Sequence, residues 1–214
     1  MIAQQLENVI NDGIRQIGQV AILSDVQGSP FALCHLDDRE SHDSLEVHRG
    51  PLPARDISTW AEDGHYRFTK GELSLKQGWL LLLSDIHELR QALDLLYPAS
   101  LGLWLAEKSD QLDVENLRDK LNRQTGMYKF ARNISDAGAQ KLVREVCGPG
   151  NCCVKRILWS LDANTPLEDS EASRHNGILG DTDKAIPLLC REACNHFVAE
   201  TRKASKAEHE TAAK

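Results

Sequence analysis

Five of the six cysteines lie beyond residue 146, in two groups: Cys147-Gly-Pro-Gly-Asn-Cys152-Cys153 and Cys190-Arg-Glu-Ala-Cys194. The N-terminus, Met1-Ile-Ala-Gln-Gln-Leu-Glu-Asn, has neither the cationic start nor the apolar run of a secretory signal. The cytoplasm is therefore the expected compartment, and thiols stay reduced there. Clustered cysteines then point to metal ligation or redox chemistry rather than to a disulfide framework. The spacing of Cys190 and Cys194 predicts two thiols on one helix face, both able to reach a common centre. Gly148, Pro149 and Gly150 would hold Cys147 on an irregular loop whose backbone N–H groups can point at sulfur. Adjacent Cys152 and Cys153 send their side chains in different directions, so the pair is expected to supply one ligand. Cys153 is the choice, because it opens Val154-Lys-Arg-Ile-Leu-Trp159, where Lys155 and Arg156 would offset negative charge.

Cys147, Cys153, Cys190 and Cys194 together supply the four thiolates that a [4Fe-4S] cluster takes. Neither group contains the C-x2-C-x2-C run of bacterial ferredoxins or the C-x2-C knuckle usual for structural zinc. Spacing alone leaves three readings open: an iron–sulfur cluster first, a four-Cys zinc site second, and buried or redox-active thiols third. An enzyme that uses a cluster as electron donor or Lewis acid would need an open iron site, hence three Cys ligands.

The other reactive side chains carry weaker signals. Cys34 lies in an expected strand and reads as a buried structural thiol. His35, His42, His48 and His65 are scattered without paired ligand spacing, so surface or partly buried histidines are expected. His196 would face away from the cysteines or stand behind them. Trp60, Trp79, Trp104 and Trp159 read as core residues, with Trp159 a candidate to shield the cluster from water. No Gly-rich phosphate loop, H-E-x-x-H or G-x-S-x-G occurs, which removes the usual handle for those enzyme classes.

The elements that must position these residues follow from hydropathy. With 25 Lys and Arg against 32 Asp and Glu, the net charge of −7 argues against a nucleic-acid partner. A 41% hydrophobic content is enough for a core, while the longest strongly apolar run, Trp79–Leu83, is far too short to cross a membrane. Ile2, Leu6, Ile10, Ile14 and Ile17 predict a helix over 2–17. Val20–Ser24 and Phe31–Leu36, flanking Gln27-Gly-Ser-Pro30, predict a hairpin. Leu45–Arg49 predicts a short strand, Ile57–Ala61 a helical turn, and Trp79–Leu83 a buried strand running into a helix capped by Ser84 and ending at Tyr97. Beyond it, Leu101–Glu107, Val114–Leu121, Asp136–Val146, Val154–Leu161 and Leu188 to about Arg202 carry helical spacing, with an exposed polar excursion over 162–184. The expected class is α+β, divided into an α+β unit over 1–97, a mainly helical cluster-binding domain over 98–203 and a disordered tail over 204–214.

Three segments resemble the C-terminal iron–sulfur region of sirohydrochlorin cobaltochelatase-like bacterial proteins: Arg123–Arg132, Cys153–Trp159 and Ile186-Pro-Leu-Leu-Cys-Arg-Glu-Ala-Cys-Asn195. Tyr66-Arg-Phe-Thr-Lys-Gly and Gly78-Trp79 before Tyr97-Pro98 resemble the stabilising domain that precedes that region. The likeness covers most of residues 50–200. It implies a [4Fe-4S] cluster in the second half and an electron-transfer or regulatory role beside a sirohydrochlorin chelatase-type protein on a separate chain. The chelatase domain that comes first in those proteins has no counterpart ahead of the stabilising-like half, so only the cluster ligands transfer. Cys152 beside Cys153 also departs from the pattern.

Overall fold

Helix α1 (Ile2–Asn11) buries Leu6 and Ile10 and ends earlier than the apolar spacing predicts. Gly13, at φ +102°, turns the chain out of the helix, and Ile17 belongs to strand β1 (Gln16–Ile17) instead. A computed structural model describes residues 2–59, 75–147, 153, 155–165, 167 and 184–212. The protein is α+β and divides into two units: Met1–Asp110 with Leu179–Leu188, and Gln111–Ile178 with Leu189–Lys214.

The first unit is built on the predicted hairpin. Strands β2 (Val20–Val26) and β3 (Ser29–His35) pair antiparallel with Val26 opposite Ser29. Gln27 and Gly28, at φ 49° and 80°, form the two-residue turn between them, whose positive φ values match the twist of the strands. Strand β4 (Glu46–Arg49) follows a 3-10 segment over Leu36–Ser44 and pairs parallel with β5 (Trp79–Leu83), whose five residues are all buried. Helix α2 occupies Pro53–Thr59. Helix α3 (Ile86–Leu96) is capped by Asp85 rather than Ser84. The Asp85 carboxylate accepts the N–H groups of His87 and Glu88 at 2.8 and 2.9 Å, which holds its own pKa down, while Ser84 N–H donates to Glu88 Oε2. The unit continues past Pro98 to Asp110, because left-handed Ala99 turns the chain into α4 (Ser100–Lys108), which buries Leu101 and Trp104. The chain later contributes β7 (Ala185–Ile186) to the sheet, in parallel beside β1, giving the order β4-β5-β3-β2-β1-β7.

Cys34 is fully buried in this sheet, as expected of a structural thiol, and burial pushes its pKa up to about 12. His35, in contrast to the expectation of a surface or partly buried ring, is 3% exposed. Its Nδ1 accepts the Asp37 N–H at 3.1 Å, and its Nε2 stands 3.4 Å from the Gln19 amide. Burial lowers the His35 pKa, with Asp37 and Asp38 acting in the opposite direction. The unfolded chain therefore takes up a proton near pH 6.5 before the folded one does, and the stability this ring contributes is lost as pH falls through that window. The protection of β2 and β3 amides, measured relative to their intrinsic exchange rates at each pH, should fall between pH 7.5 and 5.5, and His35→Gln should flatten that dependence. An unchanged slope in the variant would assign the effect to other groups.

The second unit is mainly helical. It contains α5 (Leu117–Asn122), a 3-10 segment over Gly126–Asn133, α6 (Asp136–Leu142) running into a π-helical turn over Val143–Cys147, and α7 (Asn195–Ala212). Two short strands, β6 (Arg156–Ile157) and β8 (Leu189–Cys190), pair in parallel. Two expectations are corrected here. The described part of Val154–Leu161 is not helical, because Arg156 and Ile157 are spent on the ladder with Leu189 and Cys190. Residues 204–212 are helix rather than disordered tail. Ser205 is buried with its hydroxyl donating to Phe130 O at 3.0 Å, and Glu208 accepts from the Ser135 N–H and hydroxyl. Of the 162–184 excursion, residues 166 and 168–183 lie outside the described residues. Among the described residues, no helix is long and apolar enough to cross a membrane.

Candidate metal centre

The core of the second unit surrounds its cysteines. Leu117, Leu121, Val143, Cys147, Ile157, Trp159, Ala193 and Phe197 are buried in one apolar cluster, and Cys190 packs against it. Cys147 closes the π-helical turn that follows α6. Such a turn widens a helix by one residue per turn and is commonly found at functional sites.

The segment bearing Cys190 is fixed from both sides. Ile157 stands opposite Cys190 in the β6–β8 pair, and Leu158 N–H donates to Cys190 O at 3.0 Å. Glu115 N–H donates to Arg191 O, and Lys120 Nζ pairs with Glu192 at 3.0 Å. Segment 156–161 is in turn held by α5, whose Leu117 and Arg118 N–H groups donate to Ser160 O and Leu161 O, both at 2.9 Å.

Cys190 and Cys194 do not share a helix face, contrary to the sequence reading. Cys190 ends a strand, and α7 begins only at Asn195. Pro187 and the pairing of Leu189 and Cys190 with β6 keep this stretch extended. Cys194 instead occupies the start of α7: its carbonyl accepts the Val198 N–H at 3.0 Å and its sulfur accepts the Phe197 N–H at 3.4 Å. An anionic sulfur there meets the positive end of an 18-residue helix.

Cys190 reports its neighbours through its acidity. Burial pushes the thiol up to about 11, the Trp159 indole N–H pulls it down, the Cys153 and Cys194 sulfurs raise it, and Lys155 lowers it. Cys153 and Cys194 are thus each within electrostatic reach of Cys190, as is Lys155. The fourth, Cys147, belongs to the apolar cluster against which Cys190 packs. Trp159 Nε1–H donates to Cys190 Sγ at 3.3 Å, while the Cys190 thiol donates to Glu192 O at 3.1 Å. Sequence marked Trp159 as a shield but did not reveal this bond.

His196 is partly buried in the first turn of α7. Cys152, the loop 148–150 and the segment Tyr66–Gly71 lie outside the described residues. Among the described residues, no three His, Cys, Asp or Glu side chains converge as one metal ion would require. Cys153 is half-buried and Cys194 exposed, while thiols from separate segments, N–H donors on two of the sulfurs, a nearby lysine and an apolar cluster against Cys147 and Cys190 are the donor set that an anionic iron–sulfur cluster needs.

Residues 109–203 match the family described as a 4Fe-4S iron-sulfur cluster binding domain. The protein is accordingly a [4Fe-4S] cluster-binding protein. More particularly, residues 3–108 match the DR2241 stabilising domain, so the chain joins a domain of that family to a cluster-binding domain. Among solved structures, it superposes on the crystal structure of DR2241 from Deinococcus radiodurans with a TM-score of 0.74, at 24% identity over 96% of this chain. That structure is described as a multi-domain protein with structural similarity to chelatases and two additional novel domains. The present chain spans 41% of its length, and the likeness is one of fold. No curated protein matches the chain.

Proposed function

We propose that this chain is an electron-transfer or regulatory module in which Cys147, Cys153, Cys190 and Cys194 ligate the [4Fe-4S] cluster, and that it serves a tetrapyrrole metal chelatase of the sirohydrochlorin or cobalamin type on a separate chain. The observation that carries the ligand set is the packing of Cys190 against the apolar cluster that contains Cys147, with burial and the Trp159 N–H governing its acidity and Cys153, Lys155 and Cys194 also acting on it. The chelatase link is supported by the description of DR2241 as similar to chelatases. The bound cluster supplies one-electron chemistry, at a potential that protein surroundings set within roughly −700 to +450 mV. The chain itself contributes the thiolates, N–H donors to two sulfurs and an apolar core on the side of Cys147 and Cys190.

Protein purified without oxygen should be brown, contain iron and labile sulfide, and lose its visible absorption reversibly on reduction. Its oxidised and reduced forms should change the rate of metal insertion by a separate chelatase to different extents. A colourless, zinc-bearing protein would overturn the cluster reading, and equal rates with both forms would overturn the link to chelation.

A second reading has its own support: Cys147 and Cys190 are part of the unit's hydrophobic core, so the metal centre would cross-link that core without a redox role. A cluster that stays in one oxidation state at accessible potentials, and whose removal unfolds the second unit, would favour it.

A further inference from the structure

We propose that the indole N–H of Trp159 tunes the electron affinity of the bound cluster by donating a hydrogen bond to the sulfur of Cys190. The inference rests on Cys190 being a ligand and goes beyond the cluster's identity to what governs its potential. The donor stands 3.3 Å from Sγ, and the ring is 2% exposed. Its placement is over-determined. The parallel pairing of Ile157 with Cys190 and the Leu158 N–H bond to Cys190 O hold the backbone, and the Phe197 ring packs edge-on at 5.4 Å and 64°.

On metal binding the Cys190 thiol loses its proton and with it the bond it donates to Glu192 O. The indole can only donate, so its bond to the sulfur survives that change. An electron added to the cluster increases the negative charge on the ligating sulfurs. A fixed donor in a buried site stabilises the more negative state. Trp159 is therefore a positioning and tuning residue that raises the midpoint potential.

The test uses the full chain loaded anaerobically with iron and sulfide and titrated with dithionite. Trp159→Phe keeps an aromatic ring against Phe197 but removes the donor. It should retain the wild-type iron and sulfide content and shift the reduction equilibrium about tenfold toward the oxidised form, which is about 59 mV for one electron. A variant with full cluster content and an unchanged midpoint overturns the inference while leaving the ligand assignment intact. A Cys190→Ala protein that keeps a full cluster overturns the assignment, and the inference with it.

A second measurement needs no variant. In wild-type protein grown with indole-nitrogen-labelled tryptophan, electron–nuclear double resonance of the reduced cluster should show coupling to an indole nitrogen. Absence of that coupling overturns the inference even if the Phe variant fails to take up the cluster.

Discussion

Cys190→Ala is expected to leave the purified protein colourless, with binding of iron and sulfide weakened by more than about 100-fold. Loss of a hydrogen-bonding group behind a ligand alone costs about 10–100-fold in metal affinity, and loss of the ligand itself costs more. Cys190 is also firmly fixed: strand pairing, the Trp159 N–H and the apolar cluster define its position. Cys194→Ala should behave similarly and should also remove the sulfur that accepts the Phe197 N–H. Cys34→Ala serves as the control, since that thiol is buried in the sheet of the other unit and should leave iron content unchanged. Iron and acid-labile sulfide analysis of protein prepared without oxygen decides the matter. Full occupancy in Cys190→Ala would remove this residue from the ligand set.

Phe197→Ala should destabilise the second unit by about 3–5 kcal/mol, the usual cost of truncating a buried aromatic side chain. Phe197 is fully buried and packs edge-on against Trp159, and its backbone N–H donates to Cys194. Its loss opens a cavity beneath two of the expected ligand segments. Chemical unfolding and amide exchange should show the deficit in α7 and α5, with β2 and β3 of the first unit unaffected. The cluster should also be lost faster to a chelator. A change in unfolding free energy below about 1 kcal/mol would mean that neighbouring side chains collapse into the space, which can sharply reduce the penalty of a truncation.

Local patterns predicted the first unit well because its signals are local. The turn at Gln27-Gly28 and the apolar run Trp79–Leu83 each specify their own conformation. The cysteines were legible by type and grouping, but their settings were not. The spacing of Cys190 and Cys194 suits a helix, yet pairing with a segment more than 30 residues earlier makes Cys190 part of a strand. The same non-local pairing brings the Trp159 N–H to sulfur, so no short window of sequence could reveal that bond. Helix α7 outran its expected end for a different reason. Ala204 and Ser205 carry little hydrophobic signal, but Ala204 packs on the apolar cluster and buried Ser205 spends its hydroxyl on Phe130 O.

The sheet of the first unit receives its last strand, β7, from residues 185–186, after most of the second unit has been made. During synthesis, β1 therefore waits with a bare flank until that late segment emerges from the ribosome. A nascent or prematurely terminated chain displays an unsatisfied backbone rail at this edge, the kind of surface on which other extended chains stack. Cutting the polypeptide between Asp110 and Gln111 would yield an N-terminal piece with the same exposed seam, so the two halves cannot be parted cleanly with one incision.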